Sequence, residues 1–167
     1  EESKHCTRVL RLARGDEVNR IDGTGGLYNA TLSDAHPKRT ILHINKVLTE
    51  YGKRNHYLHI AIAPTKNMER LEWFMEKATE IGIDEISLIV TQRSERKEAK
   101  TERLNKIITS AVKQSLKAYH PVLNEVISFN KFLSQPFDGQ KFITHCSDGD
   151  KLNLRDEINL HGSYLIL

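Results

Sequence analysis

The sequence predicts an α/β protein built from a small β-rich unit and a larger domain with a mainly parallel sheet. Between residues 5 and 56, short strand-like runs are broken by turn residues at Gly15-Asp16, Asp22-Gly23 and Gly25-Gly26. From Tyr57 onward strand-like and helix-like stretches alternate, which is typical of parallel strands joined by helical crossovers. We therefore expect two units, at residues 1–56 and 57–167.

The first unit contains three runs with strand character, which are Glu17–Asp22, Leu27–Ser33 and Arg39–Val47. Several short strands with glycine-rich turns predict a compact barrel or sandwich. The preceding stretch, Glu2–Leu12, is compatible with either a helix or an edge strand. The polar segment Glu50–Asn55 is the best candidate for the linker between the two units.

The second unit is predicted to contain four strands and two helices. The strands are Tyr57–Ala63, Glu85–Thr91, Lys141–Cys146 and Ser163–Leu167, and the helices are Asn67–Ile81 and Glu102–Tyr119. Asn67 is a good N-cap and Gly82 a good C-terminal stop for the first helix. The second helix is expected to end at His120-Pro121, because proline cannot continue it.

Composition narrows the class of protein. The chain has 38% hydrophobic and 28% charged residues, and no apolar run approaches the length of a membrane span. Cys6 and Cys146 each follow a histidine, but adjacent residues do not have the spacing of zinc ligands, so we expect no metal. With neither a disulfide framework nor an export signal, the expected location is the cytoplasm.

The net charge is only +3, so RNA or DNA binding depends on whether the basic residues cluster. On the first helix, Lys66, Arg70, Trp73, Lys77 and Glu80 fall opposite the apolar face, and the second helix carries Lys113 and Gln114 on a similar polar face. A charged run, Gln92–Lys97, directly follows a strand. These groups are either ordinary solvated surface or nucleic-acid contacts. Trp73 could pack on the first unit or a partner chain, or stack on a base.

Ordered motifs then connect the chain with a known family. They are Thr7–Leu12 with Gly15-Asp16, Ala63–Trp73, Glu76–Gly82, Arg93–Lys97, Lys113–Ser115 and His145–Gly149. Together they resemble the RsmE family, bacterial S-adenosylmethionine-dependent methyltransferases that act on a uridine N3 of small-subunit (16S) ribosomal RNA. The resemblance implies a PUA-like β-barrel for residues 1–56, incomplete at its N-terminus. For residues 57–167 it implies a SPOUT-type domain whose knotted C-terminal part is missing.

The resemblance also implies site residues and partners. The cationic and amide side chains expected to contact RNA are Arg8, Arg11, Lys66, Arg70, Lys77, Arg93, Arg96, Lys113 and Gln114. The residues expected to line S-adenosylmethionine are His145, Cys146, Ser147 and Leu167. The family usually forms homodimers, with ribosomal RNA as substrate and without a membrane. The alternative is a non-catalytic RNA-binding or ribosome-assembly module without a working cofactor site.

A methylation at uridine N3 needs a group that favours loss of the N3 proton or stabilises charge on the uracil oxygens. The cationic candidates for this role are Arg8, Arg70, Lys77, Arg93 and Lys113. No feature of the sequence identifies a general base: Glu80 is more often paired with a neighbouring lysine, and for His145 a backbone contact to the cofactor is the favoured interpretation.

Overall fold

The computed structural model describes residues 2–146 and 148–167, which cluster into one unit at Glu1–Lys53 and a second at Arg54–Leu167. In the first unit a short helix, α1 (Glu2–Lys4), continues into a π-helical turn at His5–Val9. Three strands follow, β1 (Glu17–Ile21), β2 (Leu27–His36) and β3 (Arg39–Leu48). The segment that the sequence left open between helix and strand is therefore helical at its start.

The three strands of the first unit form one antiparallel sheet in the order β1-β2-β3. Their positions match the prediction, and β2 extends three residues further, to His36. In place of the predicted barrel or sandwich, the described residues of this unit form an open sheet, because three strands are too few to close on themselves. Ala30 and Leu32 of β2 are its buried apolar residues.

A tight turn between β1 and β2 is built around Asp22. Its Oδ1 atom accepts hydrogen bonds from the backbone N–H groups of Thr24 (2.8 Å) and Gly26 (2.9 Å), and its Oδ2 atom accepts one from the Tyr28 hydroxyl (2.9 Å). A Cβ atom on Gly26 would lie 2.3 Å from Asp22 Oδ2, so this position requires glycine. These bonds lower the pKa of Asp22 well below its usual range.

The second unit has strands β4 to β8 connected mainly by helices. Their bounds are β4 (Tyr57–Ile62), α2 (Met68–Ile81), β5 (Glu85–Val90), α3 (Thr101–Gln114), β6 (Val122–Ser128), α4 (Phe129–Leu133), β7 (Gln140–Phe142), α5 (Leu154–Glu157) and β8 (Ser163–Ile166). The five strands form a fully parallel sheet in the order β6-β5-β4-β8-β7. The predicted α/β class with a mainly parallel sheet is confirmed.

Several bounds differ from the sequence prediction. Strand β6 and the short helices α4 and α5 were not predicted, and β7 ends at Phe142 instead of Cys146. Helix α3 ends at Gln114, five residues before the predicted Tyr119. Leu116 has φ +53, a left-handed conformation that an α-helix cannot contain, so the helix ends before the proline is reached.

Helix α2 has the predicted limits because its caps are satisfied. Asn67 Oδ1 accepts from the backbone N–H of Glu69 at 2.9 Å, and Gly82, at φ +116, donates its N–H to Ala78 O at 2.9 Å. Helices α2 and α3 pack together. Their buried residues include Leu71, Met75, Leu104, Ile108, Ala111 and Val112.

A second cluster joins Phe132 of α4 to Ala61, Ile89 and Leu165 of three neighbouring strands. Because side chains of a strand alternate between its faces, these residues face away from the fully buried Ile86 and Leu88. The sheet therefore has apolar packing on both faces, as parallel sheets require. Within the described residues, no helix is long and apolar enough to cross a membrane.

Candidate nucleic-acid interface

The carboxyl ends of all five parallel strands meet at one edge of the sheet, which we call the carboxyl edge. The segments that leave this edge are 63–67 after β4, 91–100 after β5, α4 directly after β6, 143–146 after β7 and Leu167 after β8. Ligands of open α/β sheets bind at this edge. Predicted site residues of the second unit that lie at the carboxyl edge are therefore the best placed to contact a ligand.

Two of the predicted RNA-contacting residues, Lys66 and Arg96, are brought together at the carboxyl edge. Arg96 Nη2 donates to the backbone carbonyl of Lys66 at 3.3 Å, and Lys66 Nζ lies 3.5 Å from Glu95 Oε2. Both side chains of the Lys66–Glu95 pair are largely exposed, so the ion pair is weak. These two contacts connect the segment between β4 and α2 with the segment between β5 and α3.

The segment after β5 begins with a hydrogen-bonded turn. Ser94 Oγ accepts from the backbone N–H of Thr91 at 2.9 Å, while Thr91 Oγ1 accepts from the N–H of Arg93 at 3.3 Å. The Arg93 side chain is exposed and has no ion-pair or hydrogen-bond partner in the part of the chain that the structure describes. Beside it an open cleft of about 490 Å³ is lined by residues at the carboxyl ends of the paired strands β5 and β6.

The outer surface of α2 combines free and paired cations. Arg70 has no side-chain partner among the residues described and lies near Trp73, which is 64% exposed, in a shallow hollow that Asn67, Glu69 and Phe74 also line. Lys77, in contrast, is held by Glu76 at 2.8 Å and Glu80 at 2.9 Å. The hydrogen bonds that Lys77 donates to these two carboxylates raise its pKa.

The remaining predicted RNA contacts belong to other elements of the chain. Lys113 and Gln114 are at the C-terminal end of α3, about 18 Å along the helix axis from Thr101 at the carboxyl edge. The fold therefore separates them from Arg70 and Arg93. Arg8 and Arg11 belong to the first unit, in and just after the π-helical turn, and are exposed.

The predicted cofactor residues come together where β7 and β8 end. The backbone N–H and the hydroxyl of Thr144 both donate to the carbonyl of Leu167, at 2.8 and 2.9 Å, and Leu167 N–H donates to Phe142 O at 2.9 Å. His145 and Cys146 follow directly and are exposed, and Ser147 lies outside the described residues.

Exposed residues of mixed polarity surround this pair of strand ends. His145 and Cys146 are exposed, and the Ile143 side chain, 64% exposed, adds an apolar surface. Within residues 2–146 and 148–167, no group of three or more histidine, cysteine, aspartate or glutamate side chains could hold a metal ion.

The parallel sheet contains a polar network that its sequence did not predict. His59, only 6% exposed, places Nε2 2.8 Å from Ser87 Oγ, and Asn124 Nδ2 donates to the same oxygen at 2.8 Å. Glu85 accepts from Asn124 and from the Tyr57 hydroxyl, both at 2.5 Å. Burial lowers the pKa of His59, and the Glu85 carboxylate partly opposes this effect. Polar residues at alternate positions of apolar strands were the available signal.

The fold and the carboxyl edge define the class of protein to which the chain belongs. Residues 53–167 match the family described as the RNA methyltransferase domain, and residues 1–45 match the RNA methyltransferase PUA domain. The chain therefore belongs to the RNA methyltransferase family.

Individual relatives confirm the resemblance to the RsmE family. The ribosomal RNA small subunit methyltransferase E of Synechocystis is 30% identical over 134 residues, which cover 78% of this chain and 43% of the relative. Its counterpart in Bacillus subtilis is 24% identical over 160 residues, covering 90% of this chain and 61% of the relative. The chain thus spans about half the length of these relatives.

Solved structures agree on the fold. A crystal structure from Porphyromonas gingivalis, described as a probable rRNA-methyltransferase, has 33% identity and a TM-score of 0.86, covering 99% of this chain and 71% of that one. The ribosomal RNA small subunit methyltransferase E of Neisseria gonorrhoeae, bound to S-adenosyl methionine, has 21% identity and a TM-score of 0.80. This match covers 99% of this chain and 69% of that one, and at this identity it supports the fold alone.

Proposed function

We propose that the protein methylates N3 of a uridine in small-subunit ribosomal RNA and takes the methyl group from S-adenosylmethionine. The observation that carries this proposal is the junction of β7 and β8 at Leu167, beside exposed His145 and Cys146. It lies on the same sheet edge as the segment that presents Arg93. The names of the curated relatives support the substrate class, and a structural neighbour of the same fold is bound to S-adenosyl methionine.

The residues proposed to hold the cofactor are His145, Cys146, Ser147 and Leu167. When bound, S-adenosylmethionine supplies an electrophilic methyl group on a sulfonium centre. The chain contributes the exposed residues His145 and Cys146 and the apolar surface of Ile143, which suit a planar base. The Leu167 carbonyl is already occupied by two donors from Thr144, so it fixes the position of these residues and is not itself free to bind.

The residues proposed to hold RNA fall into two groups. Lys66, Arg70, Arg93 and Arg96 are at or near the carboxyl edge, where they can position the substrate beside the cofactor. Arg8, Arg11, Lys77, Lys113 and Gln114 lie further away or in the first unit and are proposed as contacts to the phosphate backbone. Loss of the uridine N3 proton makes the nitrogen nucleophilic, and a nearby cation would stabilise the resulting charge on the uracil oxygens.

We infer three further properties from the family relation. The methyltransferase domain adopts the trefoil-knot SPOUT topology, the protein acts as a homodimer, and it is found in the cytoplasm with the ribosome. The PUA-like first unit, which we place at residues 1–56, contributes RNA contacts. Sedimentation velocity on the purified protein tests the dimer directly, and a single monomeric species at micromolar concentration would contradict it.

The experiment that tests the function has two arms. Calorimetry measures S-adenosylmethionine binding, and transfer of a labelled methyl group to small ribosomal subunits from a strain without this modification measures activity. We expect binding, and label at uridine N3. RNA binding without cofactor binding or transfer would instead support a non-catalytic RNA-binding module.

A further inference from the structure

The cleft between the carboxyl ends of β5 and β6 has no assigned role. It is lined by Thr91, Gln92 and Arg93 after β5 and by Ser128, Phe129 and Asn130 at the junction of β6 and α4, together with Val90. Its volume of about 490 Å³ is in the range of pockets that bind small organic ligands. A single nucleotide has a suitable size for such a space.

The charge in this cleft is of one sign. Among the described residues that line it, Arg93 is the sole charged one and none is a carboxylate. Two other arginines of the second unit, in contrast, are engaged: Arg54 pairs with Asp84, and Arg103 pairs with Glu72 at 2.7 Å. A guanidinium without an intramolecular partner is available for the two parallel hydrogen bonds that it forms with a phosphate.

The backbone that carries Arg93 is held in place before any ligand binds. The N–H groups of Arg93 and Thr91 donate to the hydroxyls of Thr91 and Ser94, respectively, and Ser94 N–H donates to Thr91 O at 3.2 Å. These three bonds close a turn of four residues. Less ordering is therefore required when the guanidinium meets an anion.

The uncharged lining suits a base. Gln92 and Asn130 are exposed amides, each with donors and an acceptor that can meet the edge of a nucleobase. Phe129 is half-buried and packs against the cluster of Ala61, Ile89, Phe132 and Leu165, so its ring is fixed while part of its surface lines the cleft. The cleft thus combines an anion contact, hydrogen-bonding amides and an aromatic surface.

The cleft is too far from the proposed cofactor residues of the same chain to hold the base that is methylated. From the middle of the β5–β6 pair to the middle of the β8–β7 pair there are three strand spacings, or about 14 Å. A base in the cleft is therefore too far from the proposed cofactor residues for direct methyl transfer. We propose that the cleft is an RNA subsite that holds a nucleotide flanking the target uridine, with its phosphate on Arg93 and its base against Gln92, Asn130 and Phe129.

This inference rests on the proposed function, and its test separates the two. The affinity of the whole protein for a fluorescent single-stranded RNA is measured over a range of salt concentrations. Arg93→Ala is expected to weaken binding on the order of tenfold and to reduce the salt slope by about 0.7, the value for one phosphate on a single strand. Arg93→Lys should restore the slope but only part of the affinity. Arg155→Ala, an exposed arginine on α5, is the matched control and should change neither.

The base contact has its own readout. Gln92→Ala with Asn130→Ala should weaken binding of the RNA without changing the salt slope, and should leave binding of an abasic oligonucleotide of equal length unchanged. Unchanged affinity and slope in Arg93→Ala would overturn the subsite. So would equal losses on RNA and the abasic strand in the double variant. If these variants behave as expected in a protein that transfers no methyl group, the subsite stands and the proposed function fails.

Discussion

The imidazole Nε2 atom of His59 lies 2.8 Å from the hydroxyl oxygen of Ser87, in the interior of the parallel sheet. The Ser87 oxygen also accepts from Asn124 Nδ2, and its own proton is then available for His59 Nε2. This arrangement places the ring proton on Nδ1, which is 3.5 Å from Glu85 Oε2. Burial lowers the pKa of His59 and so favours the neutral ring, and each nitrogen faces a polar group.

His59 should make the stability of the protein depend on pH. Burial lowers the pKa of His59 in the folded state. Protonation therefore favours the unfolded chain, in which histidine has a pKa of about 6.5. The contribution of the neutral ring is complete above that pH and is lost as the pH falls through the lower folded-state value. The neighbours that set this behaviour are Tyr57, Glu85, Ser87 and Asn124, with Phe132 packed edge-on at 5.7 Å between ring centroids.

Urea unfolding of wild type and His59→Gln between pH 5 and 8 tests this dependence. The glutamine amide can still reach Ser87 but does not titrate. We expect the variant to be less stable at pH 8 because packing is lost, and to lose less stability than wild type between pH 6.5 and 5. Parallel curves for the two proteins across this interval would show that the ring does not titrate as described.

Asp22→Asn should weaken the first unit at neutral pH. The carboxylate accepts two backbone N–H bonds and one from Tyr28, and an amide is a poorer acceptor that also brings unwanted donors. Because the folded-state pKa is lowered, the stabilisation is present above the usual aspartate value and disappears only as the pH falls well below it. Thermal melts at pH 7 and pH 2 measure the effect, with Asp34→Asn on β2 as control. A difference from wild type at pH 7 that persists fully at pH 2 would contradict the assignment.

Gly82→Ala should destabilise the second unit through the end of α2. The left-handed conformation at φ +116 costs an L-residue about 1 kcal/mol or more, and the new Cβ would lie 3.1 Å from Arg54 Nη1. Gly149→Ala is a matched control, since Gly149 has φ +125 and a Cβ atom added there would meet nothing within 4 Å. Chemical denaturation should rank the Gly82 variant as the less stable of the two. The reverse order would show that the Arg54 contact relaxes without cost.

Arg70 and Lys77, two turns apart on α2, should differ in their contribution to RNA binding. Lys77 is held by two carboxylates, so its replacement by alanine removes a charge that is already balanced. Arg70→Ala removes a free cation and should weaken binding several-fold and reduce the salt slope, while Lys77→Ala should change both less. Trp73, the single tryptophan of the chain, lies between them and gives a fluorescence signal for the same titration. Equal losses in the two variants would mean that Glu76 and Glu80 release Lys77 when RNA binds.

Local features made much of the fold predictable. Asn67 and Gly82 define α2 because their caps are formed by residues within one turn, and the alternating strands and helices identify the parallel sheet. Strand β6 was missed because Asn124 and Glu125 interrupt its apolar pattern, and Asn124 has its partners on another strand. The strand order, with β8 between β4 and β7, is a long-range property that no local pattern contains.

In the candidate site, too, contacts between residues close in sequence were predictable and contacts between distant residues were not. The pairing of Lys77 with Glu80 follows from their i,i+3 spacing, whereas Arg103 with Glu72 joins two helices and could not be foreseen. The basic stripe on α2 consequently contains fewer free cations than its sequence suggests. The cleft beside Arg93 was not predicted at all, because its second wall belongs to β6 and α4, which the sequence pattern did not reveal.

The position of β8 has a consequence for how the protein is made. Ser163 of β8 pairs with Tyr57 of β4, about a hundred residues earlier in the chain. Synthesis of these residues takes roughly 5 to 20 s. Until then, the side of β4 that pairs with β8 has no partner. During this time a hydrogen-bonding edge of an apolar strand is open to other chains on the ribosome. Aggregation in the cell should therefore be governed by the speed of translation and by chaperones that cover β4, more than by the stability of the finished sheet.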